Sequence, residues 1–306
     1  MEYGTAPVDY LQHMEPKQGK TQQSEDRFDS GVDSLKEDEY NLIVEEMGQL
    51  AVSTSVDGNT HSYEAWKNEV TEDGDTYLHL AVIHEAEDYA LQIIKQSLND
   101  SFLNRQNNQR QTALHLAVIT EQPHIVEKLL KAGCDPRLVD QNGNTALHIA
   151  CKRGSLACFA VLTQINTQHL RSILYFPNYN GHTCLHIASI YSYLSMVENL
   201  VQLGADINAK EQCSGRTSLH LAVDLQNLAL VHRLIALGAD ANSLTYGGYA
   251  PYHLTFGRQN SEIQKHLYER TAQDLRELPE SENEESEEEP TSEDDCMYDD
   301  ILFCGK

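Results

Sequence analysis

The chain is short of basic residues, long apolar runs and paired cysteines, and each shortage removes a class of function. Against 47 acidic residues stand only 22 lysines and arginines, a net charge of −25. That balance argues against nucleic acid as a direct ligand and for a basic protein partner. No stretch is long and apolar enough to cross a membrane, and no secretory signal opens the chain. The seven cysteines (Cys134, Cys151, Cys158, Cys184, Cys213, Cys296 and Cys304) form no Cys-x-x-Cys pair. They read as reduced thiols of a cytosolic or nuclear protein, not a disulfide frame. Metal-ligand spacing, a phosphate-cradling glycine loop and a nucleophile elbow are all missing, so neither a cofactor nor catalysis is expected.

What is present is a repeat. Thr76-Tyr77-Leu78-His79-Leu80-Ala81 recurs in register at Thr112, Thr145, Thr183 and Thr217, and in weakened form as Ala250-Pro251-Tyr252-His253-Leu254-Thr255. The successive histidines are 36, 33, 38, 34 and 33 residues apart. A period near 33 with Thr-x-Leu-His-x-Ala marks ankyrin repeats. The threonine caps a helix, and Leu78, Ala81 and Val82 share one helical face. A second helix, such as Ile125 to Leu130, ends at a glycine (Gly133, Gly204, Gly238) that tolerates the left-handed conformation. No helix pair buries its apolar face alone, so an all-α ankyrin solenoid of six repeats is expected. It spans residues 69–273, between a disordered arm (1–68) and an acidic tail (274–306). The wide interval between His148 and His186 places a longer loop around Thr167 to Pro177.

The arm contains Asp26-Arg27-Phe28-Asp29-Ser30-Gly31-Val32-Asp33-Ser34. Asp-Ser-Gly-x-x-Ser is a phosphodegron pattern, in which two phosphoserines present an anionic patch that arginines clamp. The bland alternative is a plain acidic segment. Lys20, with Lys17 further off, lies within about 35 Å of Ser30 along an extended chain and is the candidate ubiquitin acceptor. Ile43, Met47, Leu50 and Val52 are spaced for a nuclear export signal or, equally, for a helix packing on the first repeat. Acids around the first repeat, Asp73 and Asp75 among them, suit a Lys/Arg-rich peptide, or else simply keep the terminal repeat soluble. Tyr246, Tyr249, Tyr252 and Phe256 make the sixth repeat rich in aromatics, some of them core, and the turn-tip Tyr179 and Tyr246 are candidate contact anchors. From Glu280 to Asp300 twelve of 21 residues are acidic and none is basic. This is a PEST-like tail in which Ser281 and Ser286 suit an acid-directed kinase, or a merely solvating one.

On these residues the chain resembles the inhibitor of NF-kappa-B family. The segments that carry the resemblance are 26–40, Asn178-Tyr179-Asn180-Gly181-His182-Thr183-Cys184-Leu185-His186, Leu221-Ala222-Val223-Asp224-Leu225-Gln226-Asn227 and the tail ending Tyr298-Asp299-Asp300. The resemblance implies an inhibitor that binds Rel-family dimers, masks their nuclear localisation segment, blocks DNA binding and keeps them in the cytoplasm, itself shuttling through the nucleus. It matches Ser30 and Ser34 to kinase-targeted serines, Lys20 to the ubiquitin acceptor and Tyr40 to a tyrosine phosphorylation site. Asn208 and Asn242 match asparagines that an oxygen-dependent hydroxylase modifies. The implied partners are a Rel dimer, a kinase complex, a ubiquitin ligase with a phosphodegron receptor and an export receptor. Two departures stand out: Gly19-Lys20 replaces adjacent lysines, and Phe256 replaces an expected tryptophan. Another class of function, an ankyrin scaffold or substrate adaptor, fits the ladder but not the degron.

Overall fold

Each repeat begins with the same local event. Thr76, Thr112, Thr145, Thr183 and Thr217 sit in extended backbone at a helix start, where the threonine and the histidine three residues on form a reciprocal capping box. Behind the caps run α1 (Tyr77–Ile83), α3 (Ala113–Ile119), α5 (Ala146–Arg153), α8 (Cys184–Ile190) and α10 (Ser218–Asp224). Each is followed, after a tight turn, by an antiparallel second helix: α2 (Glu87–Gln96), α4 (Pro123–Lys131), α6 (Leu156–Gln164), α9 (Leu194–Gln202) and α11 (Leu228–Ala236). The computed structural model describes residues 65–279 apart from residue 166, and no β-strand occurs among them. The sixth repeat is shortened. Its first helix is reduced to a single 3-10 turn, His253–Thr255, followed by α12 (Ser261–Tyr268).

The first helices stack on one another in chain order and form one layer; the second helices form the other. The core lies between them and is continuous from Tyr77 to Leu267. Leu78, Leu114, Leu185, Leu219, Leu129, Leu200 and Leu234 are all 1% exposed or less. Alanines at the signature position (Ala81, Ala117, Ala150, Ala188, Ala222) are small enough to let neighbouring first helices approach closely.

One sequence expectation is corrected. The segment expected as a loop around 167–177 is largely a helix, α7 (Thr167–Tyr175), packed on α6. Leu170, Ile173 and Leu174 are its buried face, spaced i, i+3, i+4. Ahead of the first repeat Ala65–Asn68 forms a 3-10 turn, and Trp66 packs edge-on against Phe102 in the turn after α2. At the other end, ordered contacts continue past 273, where Gln273–Leu275 forms a turn and the Glu277 carbonyl accepts from His253 Nε2 at 2.8 Å. Ala250 lacks the capping hydroxyl, yet its N–H still donates to His253 Nδ1 at 2.9 Å.

Candidate partner-binding surface

The turns that precede the first helices are hydrogen-bonded to one another across repeats. Asn108 N–H donates to Asp73 O at 2.9 Å, Gln141 to Gln109 at 3.0 Å, Tyr179 to Asn142 at 3.0 Å and Tyr246 to Ser214 at 2.9 Å. Within each turn an acid or amide closes the loop. Asp140 Oδ1 accepts from the N–H groups of Asn142 and Asn144, both at 2.8 Å, and Asn107 and Asn178 do the same in their repeats. The fifth turn is one residue longer, and there the longer Glu211 takes over. Burial pushes this carboxyl up, but hydrogen bonds from the Ser214 hydroxyl and from the N–H groups of Arg216, Cys213 and Ser214 outweigh it and hold it at about 2.

The signature histidines join the repeats. Each ring takes the N–H of its own cap residue on Nδ1, and the threonine hydroxyl as well where a threonine is present. Its Nε2 donates to a carbonyl at the start of the next repeat or, from the sixth, beyond it: Gln111, Asn144, Phe176, Ala209, Tyr249 and Glu277. A carbonyl only accepts, so the ring is the neutral Nε2–H tautomer. Burial lowers His79 and His115 and holds His148, His186 and His220 at about 4, against the pull of the carbonyl bonds.

On this frame the sequence-selected residues fall into separate groups. Asp73 is exposed at the first turn tip; Asp75 is buried, and its Oδ1 accepts from Asn107 Nδ2 at 2.8 Å. The turn acids therefore divide into an outward one and one that braces the next repeat. Glu85, Glu87 and Asp88 lie at the other end of α1, about 10 Å away for seven residues; Glu87 faces His124. Tyr179 and Tyr246 are the most exposed large hydrophobic side chains among the described residues, 61% and 63%, each on a turn tip. Their rings lie over Gly143 and Gly215, where a Cβ would come within 2.6 Å and 2.8 Å of the ring. Both glycines have positive φ, so the tip geometry and the tyrosine seat depend on the same residue. Tyr179 Oη also accepts from Arg110 Nη1 at 3.2 Å. Phe256 is 39% exposed and lies edge-on to Tyr252. Asn208 and Asn242 use their side-chain oxygens to accept the N–H of Asp240 (2.9 Å) and Ala272 (2.7 Å), clipping each repeat to its successor. Ser30, Ser34, Tyr40, Lys17, Lys20, Ile43, Met47, Leu50, Val52, Ser281 and Ser286 lie outside the described residues.

One group escaped the sequence reading. Asp224 Oδ2 is 3.2 Å from Arg216 Nη1, and its Oδ1 is 3.7 Å from Arg258 Nη2. Burial raises this carboxyl against the pull of both guanidinium groups. The signal was present in register: seven residues after each cap threonine stand Ile83, Ile119, Lys152, Ile190 and then Asp224.

Stacked helix pairs with hydrogen-bonded turns and exposed acids and tyrosines on the tips define an ankyrin-repeat protein. A family model for ankyrin repeats (3 copies) matches residues 50–140 and 120–211, and one for a single ankyrin repeat matches 214–243. NF-kappa-B inhibitor alpha of Mus musculus is 56% identical over 286 residues, 92% of this chain and 90% of that protein. The protein of the same name from Gallus gallus is 53% identical over 295 residues, 95% of this chain and 92% of its own length. The crystal structure of the ankyrin repeat domain of Bcl-3, described as a unique member of the IkappaB protein family, matches with a TM-score of 0.62 at 35% identity. It covers 67% of this chain and 90% of that one. The chain belongs to the NF-kappa-B inhibitor family.

Proposed function

We propose that the chain binds Rel-family transcription factor dimers and holds them inactive in the cytoplasm. The observation that carries this reading is 53–56% identity, over at least nine-tenths of both chains, to proteins named NF-kappa-B inhibitor alpha. Charge supports it: a chain of net charge −25 with acids at the first repeat suits a basic nuclear localisation segment. Asp73 and its neighbours mask that segment, Tyr179, Tyr246 and Phe256 contact the folded part of the dimer, and the tail beyond Glu280 competes with DNA phosphates. Phosphorylation of Ser30 and Ser34 then creates the ligase site, Lys20 with Lys17 receives ubiquitin, and the inhibitor is destroyed. Ile43, Met47, Leu50 and Val52 carry the complex out of the nucleus, and Tyr40, Ser281, Ser286, Asn208 and Asn242 are further modification sites.

The test is a mobility-shift titration of a labelled DNA duplex bound to a purified Rel dimer. The full chain should release the DNA, and a chain ending at Leu278 should bind the dimer but release DNA less completely. Binding that leaves the DNA in place with both proteins would overturn the inhibitor reading in favour of a scaffold.

A further inference from the structure

The second helices of repeats five and six each carry a histidine at nearly the same point of the helix. His232 on α11 and His266 on α12 are 34 residues apart, one repeat period, so stacking brings them together. Their ring centroids are 4.3 Å apart with an interplanar angle of 51°. His232 is exposed and His266 half-buried. Arg270 Nη1 lies 3.3 Å from His266 Nδ1 and donates to the His266 carbonyl at 3.3 Å. A metal on Nε2 puts the ring proton on Nδ1, so ligation there requires Arg270 to keep only its carbonyl bond. The signature histidines are unsuited to such a role, because both ring nitrogens of each are engaged inside the stack.

We propose that His232 and His266 form a two-histidine site for a late first-row divalent cation, Zn²⁺, Ni²⁺ or Cu²⁺, that clips repeat six to repeat five, with water in the remaining positions. Neutral imidazole is a preferred ligand of these ions. Zn–N bonds of about 2.0–2.1 Å at a tetrahedral angle put the two nitrogens about 3.4 Å apart, a spacing the exposed His232 ring reaches by side-chain rotation. Burial, Arg270 and His232 together lower His266, while Glu269 raises it. Among the neighbouring charges Arg270 opposes a cation and Glu269 favours one, while Arg233 on α11 is paired with Glu198. Among the described residues no group of three or more His, Cys, Asp or Glu converges, which limits the site to two protein ligands and moderate affinity. A cation held by the folded pair and not by the unfolded chain stabilises the fold through mass action. It would do so at the repeat whose first helix is reduced to three residues.

The test uses the full chain with Ni²⁺ or Zn²⁺ at neutral pH and reads hydrogen exchange of Ser261–Tyr268 together with calorimetric affinity. Added metal should slow exchange in that segment. His232→Gln and His266→Gln should each weaken binding by about tenfold or more, as expected when one arm of a chelate is lost, and should abolish the slowing. Arg270→Ala, which removes the opposing charge, should tighten binding. Metal uptake that persists in both glutamine variants, as at Cys213 or the tail thiols, would overturn the proposal, and so would metal-insensitive exchange in Ser261–Tyr268 or unchanged affinity in Arg270→Ala.

Discussion

Mild acid should loosen the stack through its own signature histidines. Each ring accepts on Nδ1 and donates from Nε2, so a second proton would face the N–H of the cap residue. His148, His186 and His220 are held at about 4, against an ordinary value of 6.5. The folded value lies below the unfolded one, so the unfolded chain takes up protons first. The stabilisation is complete above pH 6.5 and is lost as the pH falls toward 4. At about 1.36 kcal/mol per pH unit, that interval makes each ring worth about 3 kcal/mol. At about pH 5.5, one unit below the unfolded value, each ring has lost about 1.4 kcal/mol, and three independent rings about 4 kcal/mol. Glu211, held at about 2 from an ordinary 4.5, keeps its contribution down to about pH 4.5 and loses it only as the pH falls toward 2. Urea unfolding followed by far-ultraviolet circular dichroism should give a constant midpoint above about pH 6.5 and a falling one from there to about pH 5. His148→Gln should remove one ring's share of the slope and leave that of His79, His115, His186 and His220. A midpoint unchanged between about pH 7.5 and 5.5 would refute the assignment of the rings as buried neutral linkers.

Gly143→Ala should cost about 1–3 kcal/mol, because its Cβ meets Tyr179 at 2.6 Å on a backbone with φ of +76°. Thermal melts check the cost, and a binding assay should show the Tyr179 tip displaced. Leu200→Ala, at a fully buried site between repeats, should cost about 2–5 kcal/mol; an unchanged melting temperature would count against the packing described. Asp224→Ala leaves Arg216 and Arg258 without their shared carboxylate. It should raise hydrogen exchange in α10 and α12 more than in α3. Ser30→Ala with Ser34→Ala should leave Rel binding unchanged and prevent stimulated degradation, measured by immunoblot against a binding control.

The repeat is legible in the residues alone, because its causes are local and periodic. A cap threonine, a histidine three residues on, an alanine and a terminal glycine each act within one helix or turn, and six copies in register leave a single stacking solution. Even the weak sixth copy was legible, since Ala250 lacks the hydroxyl that the others use. Tertiary structure alone decided what depends on neighbours a repeat away. Asp73 and Asp75 are alike in sequence, yet Asn107 of the next repeat buries one and leaves the other outside. Leu170, Ile173 and Leu174 had helical spacing, but only their packing on α6 distinguishes α7 from a long loop. Asn208 and Asn242 are seen to clip successive repeats only when the acceptor and the N–H stand together. Asp224 with Arg258, and likewise His232 with His266, each 34 residues apart, are brought together because stacking makes residues about one period apart into neighbours.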